Sequence, residues 1–141
     1  MSRDRPAFEY EHHVTYEDTN AVGNVYFTNF LSWQGKCREL FLQAKAPETF
    51  RELQGGELRM ATSHASCDYY EEALAGDRLI VRLRLDRYVA SGVSLAFEYV
   101  RPRGDAIARG RQEVRFLRKQ GGTWALCEMP PPLAEAVRAY E

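Results

Sequence analysis

Tyr16–Glu39 reads YEDTNAVGNVYFTNFLSWQGKCRE, and a change of pattern inside it decides the fold. Glu17–Asn24 is rich in Asp, Asn and Gly, the composition of a loop. From Val25 the spacing turns helical: Phe27, Phe30, Leu31, Gln34, Cys37, Arg38, Phe41 and Ala44 recur at three- and four-residue steps, and Thr28 is placed to cap the start. Trp33 and Leu40 widen the apolar stripe, so other elements are expected to enclose the helix. A single arginine, Arg38, sits well inside it.

Outward from this stretch the pattern is mostly strand. Upstream, Phe8, Tyr10, His12, Val14 and Tyr16 alternate with polar residues, predicting a strand over Phe8–Tyr16 with one buried face. Downstream, Pro47 opens a short helical segment over Glu48–Leu53 that Gly55-Gly56 ends. Strands are then predicted over Glu57–Tyr70, Leu79–Asp86, Val93–Tyr99, Ala106–Arg118 and Thr123–Cys127, with turns at Ser91-Gly92, Pro102–Asp105 and Gln120–Gly122 and a terminal helical turn over Leu133–Tyr140. The order gives an α+β domain spanning residues 1–141, an antiparallel sheet wrapped around one long central helix. Such a sheet leaves an edge strand, and a homodimer is expected to cover it.

Composition narrows the function classes. The chain has 141 residues, 45% apolar and 12% aromatic, enough for one globular core. A formal net charge of −1 gives no argument for nucleic acid or an anionic membrane, and neither is expected as a partner. Arg78, Arg82, Arg84, Arg87, Arg109, Arg111, Arg115 and Arg118 fall in strand-like alternation; they read as a solvated sheet face or as a docking patch for an acidic carrier protein. The three cysteines, Cys37, Cys67 and Cys127, form no CxxC pair and suit a reducing cytoplasm. Neither a signal segment nor a membrane-length apolar run is expected. His12, His13 and His64 lack metal-ligand spacing, Ser63-His64 point oppositely on a strand, and no cofactor motif occurs.

The loop and helix resemble the hotdog-fold thioesterases of the 4-hydroxybenzoyl-CoA thioesterase type. That family's loop carries an Asp, two residues and a Gly, then a hydrophobic pair and an Asn at the helix start. Here the pattern reads Asn20-Ala21-Val22-Gly23, Val25-Tyr26 and Asn29. More narrowly, the stretch is similar to the hotdog thioesterases encoded with iterative enediyne polyketide synthases, and CDYYEEALAGD (Cys67–Asp77) fits the same subgroup. The resemblance implies hydrolysis of an acyl thioester, at a site between the helix N-terminus of one subunit and the sheet of another. It implies a polyene β-keto acyl substrate on the acyl carrier domain of a synthase, with decarboxylation of the released acid, and a dimer or a dimer of dimers. A general acyl-CoA thioesterase and a non-catalytic acyl- or carrier-binding partner are the alternatives.

The family's loop Asp is Asn20 here, which cannot take a proton at useful pH. Asn20 can still donate a hydrogen bond to an oxyanion, with backbone N–H groups near Gly23 adding positive potential. Arg38 offers a charged planar fork for a 1,3-dicarbonyl, its enolate or the product carboxylate; otherwise it snorkels, or pairs with Glu39, Glu9 or Glu11. Thr62, on the strand expected across the interface, is a candidate to hold water or the carbonyl. The resemblance adds Tyr26 and Phe30 to Gly23 as substrate-binding residues, Phe30 on the acyl channel. Asp18 is a rival base that loop chemistry also explains as a turn-former. Glu39 points about 100° away from Arg38 on a helix, against a shared pocket.

Overall fold

Leu79, Val81, Leu83 and Leu85 are all buried, and so are Val93, Leu95, Phe97 and Tyr99. Two alternating rows of this kind, facing the same way, demand a helix to cover them. The computed structural model describes residues 5–141. The chain runs β1 (Phe8–His13), a 3-10 turn (Tyr16–Asp18), α1 (Thr28–Lys45), α2 (Pro47–Gly55), β2 (Leu58–Tyr69), β3 (Arg78–Val89), β4 (Gly92–Val100), β5 (Ala106–Gln120), β6 (Thr123–Cys127) and α3 (Pro131–Arg138). The sheet is antiparallel in the order β1-β3-β4-β5-β2, with β6 beside the far end of β5. No helix among the described residues is long and apolar enough to cross a membrane.

α1 lies on the sheet through Phe30, Trp33, Gln34, Cys37, Phe41 and Leu42. Ser32, Lys36, Glu39 and Gln43 remain exposed, so within one chain the helix keeps a solvent stripe and is not enclosed all round. Its first helical residue is Thr28, and the capping position falls to Phe27, which makes no side-chain cap bond. β1 stops at His13, earlier than expected. The Thr15 amide donates to Asp18 Oδ2 at 3.0 Å, turning the chain, and Tyr16 is 83% exposed.

β2 is an edge strand with a bulge. Thr62 pairs with Val114 and His64 with Glu113, leaving Ser63 as the extra residue. The bulge switches parity. Before it Leu58, Met60 and Thr62 share the helix side with Phe116 and Val114; after it Ala65, Cys67 and Tyr69 pair with Gln112, Gly110 and Ala108. Residues 61–65 are exposed.

The helix keeps step with β5. Four helical residues advance about 6 Å and two strand residues about 6.7 Å. Phe30 therefore packs on Tyr99 and Tyr69, which pair with Ala108. Gln34 comes over Gly110, and Arg38 reaches Gln112.

Candidate active site

The seam between α1, β5 and β2 carries a polar stripe inside an otherwise apolar interface. Gln34, fully buried, donates from Nε2 to the Ser66 carbonyl at 3.0 Å, across Gly110. One helical turn on, Arg38 Nη1 donates to Thr62 Oγ1 at 3.0 Å and to Gln112 Oε1 at 2.9 Å. Both Nη1 hydrogens are thereby used. The Nε–H and Nη2–H edge, the edge that can grip two oxygens at once, has no hydrogen-bond partner among the described residues.

Arg38 has no carboxylate within ion-pairing distance among the described residues. The acids that rival a ligand for it are held elsewhere: Glu9 by Arg82, Glu11 by Arg78, and Glu39 by Gln43 at 2.9 Å. Burial pulls the guanidinium pKa below its ordinary value, partly opposed by the charge of Glu39. The group stays cationic at neutral pH. A partly desolvated cation held only by neutral oxygens is costly on its own and favours an arriving anion.

Beside it runs a cleft of about 350 Å³ between α1, α2 and the start of β2. Leu42, Phe50, Leu53, Leu58 and Met60 give it an apolar lining, and Arg38, Glu39 and Arg59 add polar groups. Glu39 thus shares the cleft with Arg38, against the expectation from the helical wheel. Side chains 100° apart still flank one groove when the groove is wider than a single helix face. A hollow of about 390 Å³ on the other face of the sheet, among Arg82, Glu98, Asp105 and Arg109, is walled by charges already paired: Arg82 to Glu9, Glu98 to Arg84 and Arg109, Asp105 to Arg103.

The loop residues lie apart from this seam. Asn20 opens a turn in which its Oδ1 accepts from the Val22 amide at 3.0 Å and its carbonyl from the Gly23 amide at 3.1 Å. Because Val22 N–H can only donate, the Asn20 N–H2 end faces away from the turn; it has no partner among the described residues. Gly23 holds the turn with φ +91°, a conformation that favours glycine, but its amide is spent and α1 begins five residues later. It therefore adds no potential at the helix start. From Thr28 to Arg38 the axis rises about 15 Å, so one chain does not bring Asn20 and Arg38 together.

Asp18 accepts from Thr15 N and contacts His12 Nε2 at 3.0 Å, and Tyr10 Oη lies 2.7 Å from His12 Nδ1. The Asp18 carbonyl takes the Tyr26 amide and Asn29 Nδ2. Asp18 is thus a brace between β1, the loop and α1. Tyr26 is half exposed, its ring against Phe27. Phe30 is 3% exposed inside a cluster with Trp33, Tyr69 and Tyr99, which is a core position in the single chain.

Sequence reasoning did not single out Gln112 as a site residue. The available signal was one amide in the inward row Ala108, Gly110, Gln112, Val114, Phe116. The thiols take no part. Burial pushes Cys37 up to about 12 and Cys67 up to about 11. Only the thiolate reacts with a disulfide reagent. At pH 8, Cys37, which is also fully buried, is expected to be labelled only as the protein unfolds, read by mass spectrometry of timed samples.

The sheet curled on one long helix, with a polar seam at the helix and an apolar cleft beside it, is the hotdog architecture. Residues 14–137 match the family model described as the thioesterase-like superfamily, and the chain belongs to that family. A crystal structure of the dynemicin thioesterase, from a study of polyene binding, is 36% identical and covers 96% of this chain and 97% of that one, with a TM-score of 0.89. A 1,4-dihydroxy-2-naphthoyl-CoA hydrolase of Synechocystis sp. is 33% identical over 78 residues, 55% of this chain and 56% of that protein. The match thus spans little more than half the length of that relative. The 4-hydroxybenzoyl-CoA thioesterase, 16% identical with a TM-score of 0.79 over 93% of this chain and 98% of that one, shares the fold.

Proposed function

We propose that this chain hydrolyses a polyene β-keto acyl thioester delivered on the carrier domain of a polyketide synthase, and that the released β-keto acid then loses carbon dioxide. The observation that carries the reading is Arg38, a partly buried guanidinium tethered by Thr62 and Gln112, without a carboxylate, beside an apolar cleft. Its free edge matches the two oxygens of a 1,3-dicarbonyl and stabilises the charge that develops as water attacks. Similarity to the dynemicin thioesterase over nearly the whole chain supports the polyene class.

Glu39, which lines the cleft, is the carboxylate nearest in sequence to Arg38 and the rival base; in this mechanism it transfers no proton. The rate acceleration then rests on positioning and charge stabilisation. Asn20 joins from a second copy, set along the exposed β2 edge in a dimer, its N–H2 end directed at the oxyanion. The sheet arginines are paired with acids, so carrier docking falls to surfaces near the cleft rather than to a bare cationic face. Three unpaired thiols suit a reducing cytoplasm.

The relatives' activity offers a second reading. An ortho-hydroxy aryl thioester such as 1,4-dihydroxy-2-naphthoyl-CoA carries the same 1,3 arrangement of oxygens as an enolised β-keto thioester. Kinetics with a β-keto polyenoyl carrier, 1,4-dihydroxy-2-naphthoyl-CoA and a saturated acyl-CoA distinguish the readings. The expected order places the first highest; equal turnover of all three makes this a general thioesterase, and no turnover of any makes it a binding protein. Asn20→Ala is expected to slow hydrolysis about tenfold to 100-fold, whereas an Asp18→Asn chain that folds but is inactive would reinstate a loop carboxylate as base.

A further inference from the structure

Gln112 is 5% exposed on the central stretch of β5. Its amide cannot be read either way round. Arg38 Nη1 only donates, so the atom 2.9 Å from it is the Gln112 oxygen, and the N–H2 end lies on the other side of the same carbon. Covalent amide geometry keeps that nitrogen within about 5 Å of Arg38 Nη1. The side chains that share its row are Leu95 on β4 and Ala65 on β2, neither of which offers an acceptor. Among the described residues the Gln112 amide nitrogen has no hydrogen-bond partner.

The seam therefore presents two sets of unsatisfied donors side by side: the Nε/Nη2 edge of Arg38 and the N–H2 of Gln112. One oxygen engages one set. A substrate with two oxygens on alternate carbons engages both, and a simple acyl thioester engages one and leaves the amide to solvent. Two preorganised donors hold a two-oxygen substrate in place of water, and a one-oxygen substrate forgoes the second bond, which turns the amide into a discriminator.

We propose that Gln112 contacts the substrate and sets its class, binding the second oxygen of a 1,3-dioxygenated acyl thioester while Arg38 holds the thioester carbonyl. This rests on the thioesterase reading given above and adds the residue that makes the selection. Thr62 differs in role: it is exposed, takes the other Nη1 hydrogen, and fixes the rotamer of Arg38.

The test compares Gln112→Met, which removes both ends of the amide, with Gln112→Glu, which keeps an acceptor for Arg38 and removes the donor. The readout is the ratio of kcat/KM for a β-keto acyl thioester to that for the saturated thioester of equal length. Both variants are expected to lower this ratio about 100-fold. An equal fall on the two substrates would assign Gln112 to holding Arg38 alone and overturn the proposal, as would an unchanged ratio. Calorimetry on wild type, Gln112→Met and Gln112→Glu with an alkyl 1,3-diketone and the matching monoketone reads the same preference without turnover. Wild-type protein that binds the diketone no better than the monoketone counts against the parent reading; a wild-type preference that both variants keep counts against Gln112 only.

Discussion

Arg38→Ala is expected to lower kcat on a β-keto thioester about 1,000-fold while the protein melts within a few degrees of wild type. The kinetic half follows from the free edge of the guanidinium. Two hydrogen bonds to a developing negative charge, at ~1.5–3 kcal/mol each, supply about 4 kcal/mol, and each 1.36 kcal/mol is tenfold in rate. Because the charge builds only as water attacks, kcat and kcat/KM should fall together. The stability half follows from the tether. Removing the side chain strands Gln112 Oε1, a loss, but it also relieves a desolvated cation that has no carboxylate. The two effects oppose each other. Arg38→Lys keeps the charge and loses the planar fork, and should recover only about tenfold of the deficit. Near-wild-type turnover in a folded Arg38→Ala protein would remove Arg38 from the mechanism.

The same comparison of partners separates Arg38 from the other arginines. All eight noted in strand alternation have a carboxylate within 4.0 Å: Arg78 with Glu11, Arg82 with Glu9, Arg84 with Glu98, Arg87 with Glu113, Arg109 with Glu98, Arg111 with Asp86, Arg115 with Glu113 and Arg118 with Glu52. Apart from Arg84, which is 7% exposed, those pairs lie on a solvated face and are worth little each. Arg38 alone of these nine arginines has no acid within ion-pairing distance among the described residues, which is what sets it apart as the proposed ligand-binding cation.

How much of this was legible beforehand depended on the range of the interaction. The helix over residues 28–45 and the alternating rows of β3 and β4 follow from spacing within one segment, and both were readable. The strand over residues 58–69 was readable only as β-compatible, because the bulge at Ser63 breaks its alternation and no local residue signals a bulge there. Arg38 was legible as a polar intruder in an apolar pattern. Its partners were not: Thr62 lies 24 residues away and Gln112 lies 74 away, and only the placement of β2 beside β5 joins them. Asn20 was legible as an amide in place of an acid. That its oxygen is spent on Val22, leaving the N–H2 end as the free one, is a matter of turn geometry.

Gly110→Ala is expected to destabilise the chain by about 4 kcal/mol and to reduce activity with it. A Cβ built there would stand 2.2 Å from Gln34 Nε2 and 2.5 Å from the Ser66 carbonyl oxygen, closer than real contacts allow. The amide of Gln34 crosses the strand at this point because glycine leaves room, and its hydrogen bond to Ser66 holds α1 down on the seam. Alanine must either break that bond, leaving a buried amide unsatisfied at ~1–3 kcal/mol, or lift the helix at a similar cost, and in both cases it overpacks against the Ser66 carbonyl at a further ~1–3 kcal/mol. Either way Arg38, one turn along the same helix face, is carried off its row. A loss of this size lowers Tm by roughly 15 °C in a domain of this length. The discriminating measurement is the cycle with Gln34→Ala. If the clash is with the Gln34 side chain, the double variant is more stable than the two single losses added together, though not fully restored, since the Ser66 carbonyl is backbone and stays. Simple additivity would mean that α1 does not depend on the gap at Gly110, and the close approach of helix to strand would need another cause.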